Sequence, residues 1–225
     1  MAYAVVTGAG SGIGRAVARA FAARGLDVAL LGRHAADLEE TRAMISQVRA
    51  ECFACDVSSE SSVMESSSAI LAAFGSPRAV VNNAGVVERK NVVEMTLPEW
   101  QRVLDINLTG TFLVSRAFLP AMIASKTGRI VSIASISATL GTPRLSAYCA
   151  SKWGVLGFSK SLAEELRGTG LQALTVLPGS VDTAMLEGSG FPPEMTPEHV
   201  ANVVVYASLD APDAMNGSSV EVFGP

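Results

Sequence analysis

The sequence is short of the features that mark several large protein classes. Three cysteines, an odd and low number, do not build a disulfide framework. Seventeen basic residues face 21 acidic ones, a formal charge of −4, with no basic run, so neither nucleic acid nor an anionic membrane is expected as a partner. The opening "MAYAVVTGAG" has no basic segment and Gly8 breaks its apolar run, which argues against a signal peptide or a membrane span. Only two histidines occur. Neither His34 nor His199 comes with partners that suggest metal binding or catalysis, and both read as surface residues. There is no linker, no fixed-period repeat and no low-complexity tract; the serine-rich "SSESSVMESSS" still carries Val63, Met64 and Ile70 as a helix over a sheet would. Together these absences point to a cytoplasmic protein without metal.

What is present is apolar. With 225 residues, 49% of them hydrophobic, and a mean hydropathy of +0.35, the chain can fill a sizeable core, and residues 1–225 are expected to form a single domain. Short Val/Ala/Leu/Ile runs ("AYAVVT", "DVALLG", "ECFACDV", "RAVVNNAG", "GRIVSIAS", "QALTVLPG", "SSVEVFG") alternate with segments of helical period at 13–24, 35–48, 60–74, 98–124, 147–167 and 197–208. Near-continuous apolarity suits strands covered on both faces, and the alternation is that of βαβ units. The expected fold class is therefore α/β, a doubly wound Rossmann fold around a mainly parallel seven-stranded sheet.

The cysteines read as packing residues. Cys52 and Cys55 form a C-x-x-C, but on a strand residues three apart point to opposite faces, whereas a redox pair needs a helix start. Cys149 has no histidine near it in sequence to activate its thiol.

Two local patterns carry chemistry. The first strand runs into "TGAGSGIG", whose Gly8, Gly12 and Gly14 permit a tight turn and close approach of a pyrophosphate to the amides at a helix start. Its spacing is Gly-x-x-x-Gly-x-Gly, not the commoner Gly-x-Gly-x-x-Gly. Further on, "SAYCASKWG" sets Tyr148 and Lys152 four positions apart, one above the other on a helix face. A phenol is a weak acid at neutral pH, and a nearby ammonium lowers its pKa. The pair is a tuned acid/base, or else a packed tyrosine beside a solvated lysine; the spacing alone does not separate the two.

Taken together, Thr7-Gly8-x-x-x-Gly12-x-Gly14, Asp56-Val57, Asn82-Asn83-Ala84-Gly85, Asn107, Ser135, Tyr148-x-x-x-Lys152 and Pro178-Gly179 with Thr183 resemble the short-chain dehydrogenase/reductase family over nearly the whole chain. The resemblance implies that Tyr148 donates a proton to a carbonyl oxygen in reduction and removes one from an alcohol in oxidation. It implies that Ser135 hydrogen-bonds the same oxygen, and the family's Ser-to-Tyr separation selects Ser135 over Ser132 and Ser137. Lys152 would tune the phenol and hold the nicotinamide ribose, and Asn107 would position a relay water, unless it is simply a satisfied polar group in its helix. The cofactor contacts implied are Gly8, Ser11, Gly12, Ile13, Gly14, Arg33, Asp56, Val57, Asn83, Ala84, Gly85, Tyr148, Lys152, Pro178, Gly179, Val181 and Thr183. The "NNAG" turn itself looks mainly structural.

Cofactor preference turns on the end of the second strand. NAD sites place a carboxylate there for the ribose 2′-hydroxyl; this chain has Gly32 followed by Arg33, with Asp27 at the wrong end of the strand and Asp37 already in the next helix. A guanidinium suits a 2′-phosphate, so NADP(H) is favoured over NAD(H), although Ser11 stands where NADP-preferring relatives often carry a basic residue. By the resemblance, the segment "SVDTAMLEGSGFPPEM" corresponds to the family's substrate lid, here short and without a basic cluster, with Met185, Leu186 and Phe191 as candidate pocket residues. A small ketone or secondary alcohol is the expected substrate, with a 3-oxoacyl thioester as the alternative. A non-catalytic dinucleotide-binding scaffold is the reading from a different class; retention of Tyr148, Lys152, Ser135 and Asn107 weighs against it.

The helix that carries Tyr148 spreads Cys149, Trp153, Val155, Leu156, Phe158, Leu162, Ala163 and Leu166 over an arc of roughly 200°, about twice a core-facing stripe. The segment with Leu104, Ile106, Leu108, Phe112, Leu113 and Phe118 is similarly rich. These two helices either cover each other or meet a second subunit; family resemblance favours a homo-oligomer, a tetramer first and a dimer second.

Overall fold

The computed structural model describes residues 2–224. Seven strands, β1 (Tyr3–Thr7), β2 (Asp27–Gly32), β3 (Ala50–Ala54), β4 (Ala79–Asn82), β5 (Gly128–Ile133), β6 (Leu171–Pro178) and β7 (Ser219–Val222), form one sheet in the order β3-β2-β1-β4-β5-β6-β7. Every pairing is parallel. The sheet reverses direction of growth between β1 and β4, so a crevice opens beyond their carboxyl ends.

Helices cover both faces. On one side lie α1 (Gly12–Ala23), α2 (Ala35–Ala43) and α7 (Pro197–Leu209); on the other lie α3 (Glu60–Phe74), α5 (Gly110–Ser125) and α6 (Ser146–Glu165). Along β1, Ala4 and Val6 enter the first core with Val17, Phe21, Leu38 and Val204, while Tyr3 and Val5 enter the second with Ile70, Phe118 and Leu162. That alternation is the strand period, and burial of both faces explains why the strands read as unbroken apolar runs. The sequence-level expectation for α2 overran by five residues: the helix stops at Ala43, and β3 likewise ends at Ala54, before Cys55. Cys52 and Cys55 go to opposite cores, and burial pushes the Cys52 thiol up to about 11 and the Cys55 thiol upward as well.

The largest difference from the expected elements lies between residues 97 and 125. One continuous helix was expected at 98–124; instead α4 (Leu97–Leu104) passes through a π-helical turn at Asp105–Thr109 before α5 begins. Leu97–Ser125 is long and apolar enough to cross a membrane by length and composition, yet half of its most apolar window is buried within the fold.

Candidate active site

A cleft of about 710 Å3 opens along the carboxyl edge of the sheet, and a smaller one of about 140 Å3 continues it on the far side of the glycine turn. The turn is shaped by backbone. Gly8 has φ +63°, a conformation that favours glycine, and a side chain at Gly14 would collide with the Gly8 carbonyl. The first intrahelical bond of α1 runs from Arg15 N to Ser11 O at 3.0 Å, and the Ser11 side chain caps nothing. The amides of Gly12, Ile13 and Gly14 therefore remain for a ligand, at the positive end of the helix dipole. These features fit a pyrophosphate.

Asn83 braces this turn. Its Nδ2 donates to the Thr7 carbonyl at 2.9 Å and more weakly to Gly8 O at 3.3 Å, while Thr7 Oγ1 accepts from the amides of Asn83 and Ala84 at 2.9 and 3.0 Å. The "NNAG" segment is thus stitched to the end of β1, as its turn-forming composition suggests. Arg15, which the sequence reading passed over, completes the brace. It donates to the Gly10 carbonyl, to Thr41 Oγ1 at 3.0 Å and to Glu40 at 2.9 Å. Its only sequence signal is a cation in the first turn of a helix, where the dipole disfavours one.

The larger cleft is lined by Ser135, Tyr148 and Lys152, and by Gly8, Ser11, Gly12, Ile13, Asn83, Ala84, Gly85, Pro178, Gly179, Val181 and Thr183. Arg33, Asp56 and Val57 line the smaller one. Gly14 lies buried beneath the turn. Thr183 precedes the short turn Ala184–Leu186 and packs its methyl toward Gly12, joining this segment to the glycine turn.

Ser135 follows the end of β5 and caps a single 3-10 turn at Ile136–Ala138. Its Oγ accepts from Ser137 N at 3.1 Å and keeps its own proton to give. Of the alternative hydroxyls, Ser137 also lines the cleft, whereas that of Ser132 is buried within β5 and has no hydrogen-bond partner among the described residues. Tyr148 stands in the first turn of α6, half-buried, and burial pushes its phenol up, with the Ser135 hydroxyl and the charge of Arg89 working against that rise. Lys152, 4% exposed, donates to the Ile133 carbonyl at 2.8 Å with its Nζ 5.6 Å from the Tyr148 ring centroid. Burial alone brings this ammonium down to about 8. The phenol is therefore not depressed in this state, contrary to the simple expectation for a Tyr/Lys pair, because desolvation acts on both groups and favours their neutral forms.

Asn107 sits in the π turn and does not line the cleft. Its Nδ2 donates to Val86 O and to Ser151 Oγ, both at 2.9 Å, and its Oδ1 accepts from Val86 N at 2.8 Å. Ser151 in turn donates to the Tyr148 carbonyl at 2.7 Å. The side chain thus ties the loop after β4 to the helix that bears Tyr148. A π turn carries no compositional signature and Ser151 is 44 residues away, so neither feature was readable in advance.

At the smaller cavity, Arg33 is exposed at the end of β2, beside His34 and Asp37. Asp56 is held below the usual carboxylate range by the Ser58 hydroxyl, with the Ser58 amide and the Arg33 charge adding to it against burial. Asp37, set aside in the sequence because it falls within α2, packs its Cβ over Gly10 and reaches this same cavity. His199 caps α7, its Nδ1 accepting from Thr196 N at 3.3 Å.

Fold and cleft place the molecule among the doubly wound α/β proteins that take a dinucleotide beyond the carboxyl ends of a parallel sheet. Within that class, the family model for short chain dehydrogenases matches residues 2–190, and the chain belongs to this family of NAD(P)-using oxidoreductases. It is 36% identical over 236 residues to a D-threitol dehydrogenase of Mycolicibacterium smegmatis, an alignment that covers 98% of this chain and 91% of the relative. A 3-oxoacyl-[acyl-carrier-protein] reductase of Synechocystis is 33% identical, with 98% and 95% covered. An uncharacterized oxidoreductase of Staphylococcus epidermidis is also 33% identical, with 97% and 95% covered. The protein is an enzyme of the short-chain dehydrogenase type acting on small molecules, which sets the scaffold reading aside.

Proposed function

We propose that residues 1–225 act as one unit, an NADP(H)-dependent oxidoreductase that interconverts a ketone and a secondary alcohol with Tyr148 as the acid/base. The observation that carries this reading is the convergence of Ser135, Tyr148 and Lys152 in the same cleft as an open helix start and its glycine turn. When bound, the nicotinamide supplies or accepts the hydride. Ser135 donates its free proton to the substrate oxygen and so fixes it beside the phenol. Tyr148 Oη then gives its proton to that oxygen in reduction or takes one in oxidation. The buried Lys152 ammonium stabilises the phenolate; binding of a substrate oxygen between Ser135 and Tyr148 adds to that stabilisation. Asn107 we assign as a positioning residue, because its amide is committed to Val86 and Ser151.

Arg33 would meet the 2′-phosphate, and Asp37 in the same cavity is the feature that favours NAD(H) instead. The alternative substrate, a 3-oxoacyl thioester, draws support from the Synechocystis relative. Three free thiols support a reducing, cytoplasmic setting. Trp153 at 53% exposure and Phe112 at 41%, on α6 and α5, support a homotetramer or a dimer. The test is a panel of ketones and 3-oxoacyl thioesters offered with NADPH and with NADH, followed by loss of nicotinamide absorbance. Turnover with NADPH of a small ketone is the expected result; activity confined to NADH or to thioesters would overturn that part of the reading.

A further inference from the structure

The cleft contains a guanidinium that proton transfer leaves unused. Arg89 lies four residues beyond Gly85, half-buried, and lines the same cleft as Ser135 and Tyr148. It is held from two sides. Its carbonyl accepts from Arg144 Nη2 at 3.3 Å, and the Arg144 carbonyl accepts from Lys90 N at 3.0 Å. These bonds pin Arg144 at φ +66°, a left-handed conformation that a non-glycine residue keeps only where its surroundings demand it. On the other side, Arg89 Nη2 donates to the Met185 carbonyl at 2.6 Å, at the base of the lid.

A guanidinium has five N–H donors, and this hydrogen bond to Met185 is the one that Arg89 makes among the described residues. No carboxylate among the described residues pairs with it. Its neighbour Lys90 is taken by Glu99, and Asp182 and Glu198, which line the same cleft, form no ion pair with Arg89. An apolar wall of Val87, Leu140, Leu145, Met185 and Phe191 lines the same cleft, with the hydroxyls of Thr142 and Ser189 among them. A pre-positioned, partly desolvated cation with open donors beside an apolar wall matches a planar carboxylate better than a neutral polar group.

We propose that the substrate is a short aliphatic oxo acid or hydroxy acid whose carboxylate docks on Arg89 while its reacting oxygen lies between Ser135 and Tyr148. This rests on the reading of Ser135 and Tyr148 as the reacting end of the cleft. The same contact would draw the lid onto the substrate through Met185. Arg144 is exposed and does not line the cleft, whereas Arg89 does, so a carboxylate inside the cleft meets Arg89.

The test is calorimetric titration of the dinucleotide-loaded protein with 3-hydroxyhexanoate, with 3-hydroxyhexanamide and with phosphopantetheine. The acid is expected to bind roughly tenfold or more tightly than the amide, Arg89→Gln to abolish that ratio and Arg89→Lys to keep most of it. The acid-to-amide ratio within each variant is the readout, so a lid loosened by Arg89→Gln does not imitate the result. Equal binding of acid and amide, no binding of either, a ratio that survives Arg89→Gln, or tightest binding of phosphopantetheine would each overturn the proposal. Binding does not depend on turnover: absence of hydride transfer with an intact acid preference would count against the catalytic reading and not against Arg89.

Discussion

The Lys152 ammonium donates to the Ile133 carbonyl across 2.8 Å and so fastens α6 to the end of β5, two residues before Ser135. One hydrogen bond does not replace the water lost by a cation that is 4% exposed, and its pKa falls to about 8. The folded chain therefore binds fewer protons than the unfolded chain between about pH 8 and the ordinary lysine value, and stability should rise with pH across that window. The fall from the ordinary lysine value to about 8 corresponds to roughly 3 kcal/mol, present as a penalty below pH 8 and relieved toward pH 10. Above pH 10 the raised Tyr3 and Tyr148 act in the opposite sense. Urea unfolding of wild type and Lys152→Met between pH 7.5 and 10 measures this. The wild type should gain stability and the variant should not; parallel curves would show that the ammonium is not strained by burial.

Asn107 offers a way to separate positioning from proton relay. Its replacement by alanine leaves the Val86 amide and carbonyl and the Ser151 hydroxyl without their buried partner, at a cost of about 2–4 kcal/mol. The denaturation midpoint should therefore drop together with activity. A variant of unchanged stability but low activity would restore the relay role.

If Arg33 holds the 2′-phosphate as proposed, Arg33→Ala should weaken NADP(H) binding about tenfold or more while leaving NAD(H) little changed, because a guanidinium pairs with a phosphate far better than with a hydroxyl. Asp37→Ala should raise NADP(H) affinity by removing the nearby carboxylate. Fluorescence titration of both cofactors measures each effect; tighter wild-type binding of NADH than of NADPH would reverse the assignment.

The seven-stranded parallel sheet was legible because β1, β2, β4, β5 and β6 are buried on both faces, and that burial writes itself into the sequence as unbroken apolar runs. The glycine turn and the Tyr148/Lys152 pair stood out as short local spacings, whereas Ser135 and the roles of all three side chains came from the resemblance to the family. What escaped depends on contacts between distant residues. Arg89 is recognisable only once Met185 is seen against it, 96 residues on. Asp37 was discounted as a helical residue, yet the close packing of α2 on Gly10 brings it to the smaller cavity beside Arg33. The π turn at Asp105–Thr109 has no composition of its own, and the Tyr148 phenol rises because burial, absent from any spacing rule, outweighs the Ser135 hydroxyl and the Arg89 charge.

The exposed Trp153 and the edge-to-face pair of Phe112 and Phe158, with centroids 6.2 Å apart, leave an apolar face on α5 and α6. Light scattering should give a mass near four times the 23.3 kDa of one chain, or twice that mass for a dimer, and Trp153→Glu should lower it. A fully active particle of one chain would remove the assembly from the account.

The central claim is that the Tyr148 hydroxyl moves the proton. Single-turnover hydride transfer by wild type and Tyr148→Phe, each saturated with cofactor, tests it most directly. Loss of one oxygen should leave cofactor affinity within about twofold and slow hydride transfer roughly a hundredfold or more, the scale of a missing general acid. Equal rates in the two proteins, with cofactor bound in both, would contradict it.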